Sequence, residues 1–328
     1  MALQPSVKSY LGLALEATKG TAVTATDFVP IMKDSFKPTD IIDPLLDTGI
    51  RGSMVADYNY VQGRRHTEVD FGGPVFADTI GYWLAGILGD VTTTGASAPY
   101  THAIALKNSV GAAGDAQPKA LTITDYYSAS IRQYPGCQVH ELGLSFSADG
   151  MLEYTTKLTG YPSATTTAPA PSFSTVVPTQ VWTGAVTIGG STIATGQTGS
   201  LTMSRTIDPI FTVQAVQSPY SVFVGALSVA GQVTFVMEDD TELTRFLNNT
   251  QPAITFNWST GAGATATQVA FTATKGAYTV AMIDRSKDYV EVTIDFMALG
   301  NTTDVGSTSG YSPIKFTIKN AKPSGTYQ

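Results

Sequence analysis

Three histidines, a single cysteine and one acidic cluster are the side chains in this sequence whose types could carry chemistry. His66, His102 and His140 stand singly, without the HxH or HExxH spacing that brings two imidazoles onto one metal ion. His140 adjoins Glu141 in a segment whose apolar residues alternate, so the two side chains are expected on opposite faces of a strand. Cys137 with a distant histidine has the composition of a nucleophile pair, but a lone cysteine in a β-rich chain is usually inert filler. The same count excludes an internal disulfide and a multi-cysteine zinc site. Glu238-Asp239-Asp240 with Glu242 is the densest acidic stretch. A glycosidase needs paired carboxylates, one with a raised pKa. This cluster instead spans a predicted strand end and helix start, where acidic side chains cap the backbone and complement the helix dipole. Gly72-Gly73 and Gly189-Gly190 lack the spacing of phosphate-binding loops and read as turns or bulges. The residues predict no catalytic site, no metal and no cofactor, and a chain that is not an enzyme.

Of the 328 residues, 43% are hydrophobic and only 14% charged, well under the roughly 25% charged residues of an average soluble domain. So few charges imply that much of the surface meets protein instead of water. Threonine, alanine, glycine, serine and valine dominate, which favours strands over helices. The formal net charge of −7 and the lack of Lys/Arg clusters disfavour nucleic-acid binding. Arg64-Arg65-His66, the densest basic spot, reads as a solvated strand edge. A net acidic wall suits a different task, letting DNA pass without sticking. No stretch approaches eighteen uninterrupted apolar residues, so no membrane-spanning helix is expected. Met1–Pro5 lacks the basic flank and apolar core of a secretion signal, which predicts folding in the cytoplasm.

These elements fall into two halves. Residues 161–178, uncharged and rich in Pro, Thr, Ser and Ala, read as an extended linker between units 1–160 and 179–328. Ser35 to Leu46 and Ser200 to Phe211 share a Ser and an Ile-Asp-Pro step followed by two apolar residues, at a constant spacing of 165 (200 − 35). Each half then runs strand, helix, strands. The first helix is predicted at about 75–89, with Phe76, Ile80, Trp83, Leu84, Ile87 and Leu88 on one face, Pro74 near its first turn and Gly89 as its cap. The second, at about 240–248, carries Leu243, Phe246 and Leu247 on one face, with Asp239 or Asp240 as its cap. Alternating strands follow: Leu142, Leu144 and Phe146 match Val290, Val292, Ile294 and Phe296. Leu152, Tyr154 and Leu158 match Ile314, Phe316 and Ile318, and Asp149-Gly150 supplies a hairpin turn. Duplication of one unit accounts for this order better than chance likeness of two β-rich domains.

Between Lys37 and Gly63 the sequence has no sustained periodicity and reads as a long loop. Its apolar residues, Ile41, Ile42, Leu45, Leu46, Ile50, Met54, Val55, Tyr58 and Tyr60, are too many for a free loop and are expected to cover another subunit.

The opening Tyr10-Leu11-Gly12-Leu13-Ala14-Leu15-Glu16-Ala17-Thr18-Lys19-Gly20-Thr21-Ala22, running on to Phe28-Val29-Pro30, resembles the start of many siphophage tail tube proteins. The likeness is specific over about the first thirty residues and looser, through the arm and helix, to Asp90. It implies a mainly β fold: tail-tube-like β-sandwich units, each with one flanking α-helix, that join sheets between subunits into a ring with an inner β-barrel. By the same resemblance the rings stack, DNA passes through the bore unbound, and segment 37–63 reaches the adjacent subunit or ring. The implied partners are copies of the chain, a tape measure protein, and tail terminator and tip proteins. The implied place is the virion tail, assembled in the host bacterial cytoplasm. The apparent second copy departs from the common single-domain pattern and predicts rings of three chains with pseudo-sixfold symmetry, hexameric rings being the alternative.

Two rival readings are weighed against this. A capsid decoration or adhesin-like β-sandwich would share the composition but has no need for the arm or the helix. A β-sandwich carbohydrate-active protein would want an exposed aromatic platform, whereas Trp83, Trp182 and Trp258 read as core.

Overall fold

The computed structural model describes residues 5–32, 35–108, 116–127, 130–168 and 170–328. Valine- and threonine-rich alternation becomes antiparallel strands throughout. The first half contains β1 (Tyr10–Leu15), β2 (Asp27–Val29), β3 (Lys37–Asp47), β4 (Asn59–Pro74), α1 (Ile80–Leu88), β5 (Gly89–Thr94), β6 (Tyr100–Leu106), β7 (Leu121–Tyr126), β8 (Ile131–Ser147) and β9 (Glu153–Gly160). Then come β10 (Ala164–Thr165), β11 (Gly184–Ile188), β12 (Ser191–Ile193), β13 (Gly196–Ile210) and β14 (Ser221–Val236). The chain ends with α2 (Thr241–Leu247), β15 (Ile254–Thr260), β16 (Thr267–Ala273), β17 (Gly276–Asp284), β18 (Glu291–Ala298) and β19 (Lys315–Asn320).

Two sheets result. The larger contains an unbroken run in the order β17-β18-β14-β13-β8-β9-β4-β3. The N-terminal part of the long strand β8 leaves this run to pair with β7, which pairs with β1 and then β2. The smaller sheet has the order β12-β11-β15-β16-β19-β6-β5. The halves therefore meet in both sheets, at β8 beside β13 and at β19 between β16 and β6.

Registers on the two sides of the large run correspond. In the β3/β4 hairpin a bulge lies between the pairs Ile42↔Arg65 and Pro44↔Gln62. In the β13/β14 hairpin it lies between Arg205↔Leu227 and Ile207↔Val224. The shift is 163 on one strand (205 − 42) and 162 on the other (227 − 65). In β8/β9 a bulge lies between Val139↔Leu158 and Glu141↔Lys157, and in β17/β18 between Tyr278↔Phe296 and Val280↔Asp295. Here the shifts are 139 (278 − 139) and 138 (296 − 158). The Ile-Asp-Pro spacing of 165 is thus two residues out of step with the paired strands. Sheet position also separates two segments matched by sequence: β9 lies between β4 and β8, whereas β19 lies in the smaller sheet. The strand placed as β9 is placed is β18, between β14 and β17.

Helix α1 begins later than its pattern suggested, because Pro74 ends β4 and Phe76–Thr79 form a turn. Gly89 ends it in the left-handed region at φ 89°. Phe76, Ile80, Trp83, Leu84, Ile87 and Leu88 are all buried, but so are Gly81, Tyr82, Ala85 and Gly86. The helix is not a flank; it contacts β8 of one sheet and β5 and β6 of the other. A helix apolar all round is the expected outcome of burial on all sides. Trp83 packs edge-on to Phe71 at 5.1 Å and along Tyr154 at 6.2 Å, and Tyr82 meets Tyr327 at 5.0 Å. Elsewhere Phe146 of β8 packs on Phe256 and Trp258 of β15, closing the sheets on each other.

Candidate assembly surfaces

Segment 37–63 is not a structureless loop. It is most of a two-stranded hairpin, β3 against β4, with a tip at 48–58. Neither face of its outer part meets the core, so no period-2 burial marks it in the sequence. Ile41, Ile42 and Tyr58 are half-buried, whereas Leu45, Leu46, Ile50, Met54, Val55 and Tyr60 are exposed, Ile50 and Met54 almost completely at 98% and 104%. At the tip Asp47 pairs with Arg51 and accepts the Gly49 N–H at 3.1 Å, and the Arg51 guanidinium lies 4.6 Å from the Tyr58 ring centre. The tip is ordered by its own polar contacts, and its apolar side chains have no cover.

A second such surface escaped sequence reasoning. The tip of the β13/β14 hairpin, 211–220, exposes Val213, Val216 and Tyr220, and Phe223 follows beside it. This tip leans on the first arm: Arg64 lies over the Phe211 ring at 4.9 Å, Gln217 donates to the Gln62 carbonyl at 2.8 Å, and Arg65 N–H donates to the Gln217 carbonyl at 3.0 Å. The Ser35/Ser200 match was the available signal, since carrying the arm across it lands on this hairpin. Arg64 also pairs with Asp43 across the first arm at 2.8 Å. The basic triplet is therefore partly engaged in holding two hairpins together.

The N-terminal segment has a clear physical role. Glu16, only 2% exposed, accepts N–H groups from Gly20 at 2.6 Å and Gly136 at 2.7 Å, and the Thr122 hydroxyl at 2.7 Å. Gly20 sits at φ 80°, and a β-carbon there would collide with the Tyr161 ring. Glu16 and Gly20 together fix the turn after β1 onto β7 and β8.

Of the groups considered for chemistry, His102 and Cys137 are buried and His140 is half-buried. His102 is fully buried, with Nδ1 2.9 Å from the Thr93 hydroxyl and Nε2 3.1 Å from Asn320 Oδ1; burial pushes its pKa down. His140 falls in the β8 bulge, so strict alternation with Glu141 does not hold there; burial again lowers its pKa. Cys137 is fully buried and its thiol pKa is pushed up by burial. Among the described residues, no group of His, Cys, Asp and Glu is placed to hold a metal. In the acidic cluster the N-cap position of α2 is Asp240, whose side chain makes no capping hydrogen bond; Asp239, one residue earlier, accepts the Thr241 N–H at 2.9 Å in a local turn. Glu242 differs from expectation: it is the buried residue of α2, bound to Arg245 and to the Tyr278 hydroxyl. Leu243 and Phe246 are half-buried and Leu247 is 72% exposed. Trp83 and Trp258 are core, but Trp182 is 77% exposed, against the reading of all three as core. Linker residues 161–178, apart from 169, which lies outside the described residues, follow the first half: Ala164 and Thr165 pair with β8, and Phe173 meets Phe28 and Tyr10.

No described helix is long and apolar enough to cross a membrane. Two antiparallel sheets packed around one buried helix, with uncovered hairpin tips, make this a mainly β protein. A family model described as phage tail tube protein matches residues 6–298, and the chain belongs to that family. No curated protein matches it. Membership makes it a structural component of the virion tail, from a family that assembles into a tube.

Proposed function

We propose that this chain polymerises into stacked rings that form a siphophage tail tube, the conduit for DNA ejection, and that each ring contains three chains. In this reading residues 1–160 and 179–328 are two copies of one tube-forming unit joined by 161–178. The observation that carries it is the agreement of strand pairing on the two sides of the large sheet, down to the position of two bulges. A bulge is a defined local feature of a ladder, so two at corresponding positions favour descent from one unit over coincidence. Three chains then supply six units, and the sheets of neighbouring chains close into an inner barrel without free edges. Exposed apolar side chains on both hairpin tips supply contacts to adjacent subunits or to the next ring. Three times −7 gives each ring a charge of −21, and such a wall repels passing DNA. A tape measure protein inside the bore and terminator and tip proteins at its ends complete the expected partners, with assembly in the host cytoplasm.

Electron microscopy of the purified chain tests this directly. The expected result is tubes or stacked rings whose averages show threefold symmetry with six similar lobes. Strict sixfold symmetry with one whole chain per lobe overturns the trimer. Persistent monomers at every concentration and with tail partners present overturn the assembly reading.

A further inference from the structure

The large sheet contains one joint between the halves, and its two strands each have a counterpart with a free edge. At the joint, β13 pairs with β8 through Ser200↔Ser145, Leu201↔Leu144, Thr202↔Gly143, Met203↔Leu142 and Ser204↔Glu141. By the register shifts, β13 corresponds to β3 and β8 to β17. Among the described residues β3 pairs only with β4, and β17 only with β18. They are the two ends of the eight-strand run. Helix contacts agree, since α1 packs on β8 and α2 on β17.

Resting on the ring assembly above, we propose that β17 of one copy adds antiparallel to β3 of the next, in a register that repeats the internal joint. Applying the shifts to the internal pairs sets Lys37 opposite Asp284 (200 − 163 and 145 + 139), Thr39 opposite Met282 and Ile41 opposite Val280. The side chains fit this register in two independent ways. Lys37 and Asp284 carry opposite charges; Asp284 accepts the Ser286 N–H at 2.8 Å and hydroxyl at 3.0 Å and lies in the field of Lys287, but neither it nor Lys37 forms an ion pair within 4 Å among the described residues. Val280 and Met282 expose 44% and 55% of their surface on an edge strand, and the register covers them with Ile41 and Thr39. Opposite charges and apolar pairs directly across a ladder stabilise it, and like charges there oppose it. Pro38, which falls opposite Ile283, has no N–H, so that position contributes only its carbonyl to the ladder. The joint is head-to-tail, so it propagates from copy to copy and closes where the rotation allows. Because the inner and outer joints are alike, each chain advances the ring by two steps.

Two single variants, Thr39→Cys and Met282→Cys, are made in the full chain, leaving the buried Cys137 in place. They are assembled separately and as an equimolar mixture, then treated with a short bis-maleimide and run on a denaturing gel. Residues directly opposite across a ladder lie within reach of such a linker. The expected result is a dimer band from the mixture that neither variant gives alone, and from the Thr39→Cys/Met282→Cys double variant a ladder ending at the ring size. As a second measure, Lys37→Asp should raise the concentration needed for polymerisation at least tenfold, and adding Asp284→Lys should restore it to within twofold. Polymers from the mixture that yield no cross-linked dimer overturn the register while leaving tube formation intact. So does an unrescued Lys37→Asp chain that folds normally. If the unaltered chain never polymerises, tube assembly itself fails and the joint falls with it.

Discussion

The carboxylate of Glu16 accepts the backbone N–H of Gly136, 120 residues further along, at 2.7 Å. With Gly20 and Thr122 as its other donors, this buried carboxyl group is held by three hydrogen bonds. Removing the acceptor leaves three donors orphaned in a buried site. Glu16→Ala should destabilise the chain by about 3 kcal/mol. Glu16→Gln should lose less, since its amide keeps one accepting oxygen. Denaturant titration at concentrations below assembly measures both.

Trp83 is fully buried between the sheets, against Phe71 and Tyr154. Trp83→Ala should destabilise the fold by about 3–5 kcal/mol through the cavity it leaves. The check is the shift in the denaturation midpoint with an unchanged slope.

The first arm should behave in the opposite way. Residues 49–57 of its tip, when replaced by Asn-Gly, leave Asp47 paired with Asn59 and remove Ile50, Met54 and Val55. A two-residue turn of this kind is compatible with an antiparallel hairpin. The melting temperature should stay within a few degrees of the parent, because those side chains touch no core. Sedimentation should nevertheless show that stacked tubes are lost. Normal tubes from this variant would remove the arm from the assembly mechanism.

Asp125 supplies a pH dependence with a defined sign. It is 8% exposed, on the rim of a cavity of about 450 Å³ shared with Tyr10, Phe36 and Pro38, and burial raises its pKa to about 6. A carboxyl raised above its unfolded value near 3.9 favours folding fully below about pH 4 and loses that contribution as pH rises to about 6. Water in the open cavity reduces the effect, to about 1–2 kcal/mol. Asp125→Asn should therefore be the more stable protein by that amount above pH 6, with the difference vanishing near pH 4. Equal stability at both pH values would show that the ionised carboxylate carries no penalty.

Much of the fold was legible because burial on one face leaves a period. Leu142 and Leu144 alternate into the core, and Gly89 stands where α1 needs a left-handed cap. The arm was legible as a surface through its apolar content but not as a hairpin. Pro38 and Pro44 break the strand pattern, and outer residues such as Leu45 and Leu46 face no core that would impose alternation. Glu242 read as a capping acid because nothing local shows that Arg245 and Tyr278 close over it. Trp182 read as core because its type favours burial, and only the course of the chain after Thr179 leaves it in solvent.

By itself the sequence determined a β protein with an apolar helix and unusually few charged residues. Those properties follow from residue type and local spacing, which act over one or two turns of chain. Tertiary structure decided which strands became neighbours: β13 beside β8, β19 between β16 and β6, and free edges left at β3 and β17. Pairing between distant strands depends on the combined packing of both sheets around α1, and no single segment encodes it.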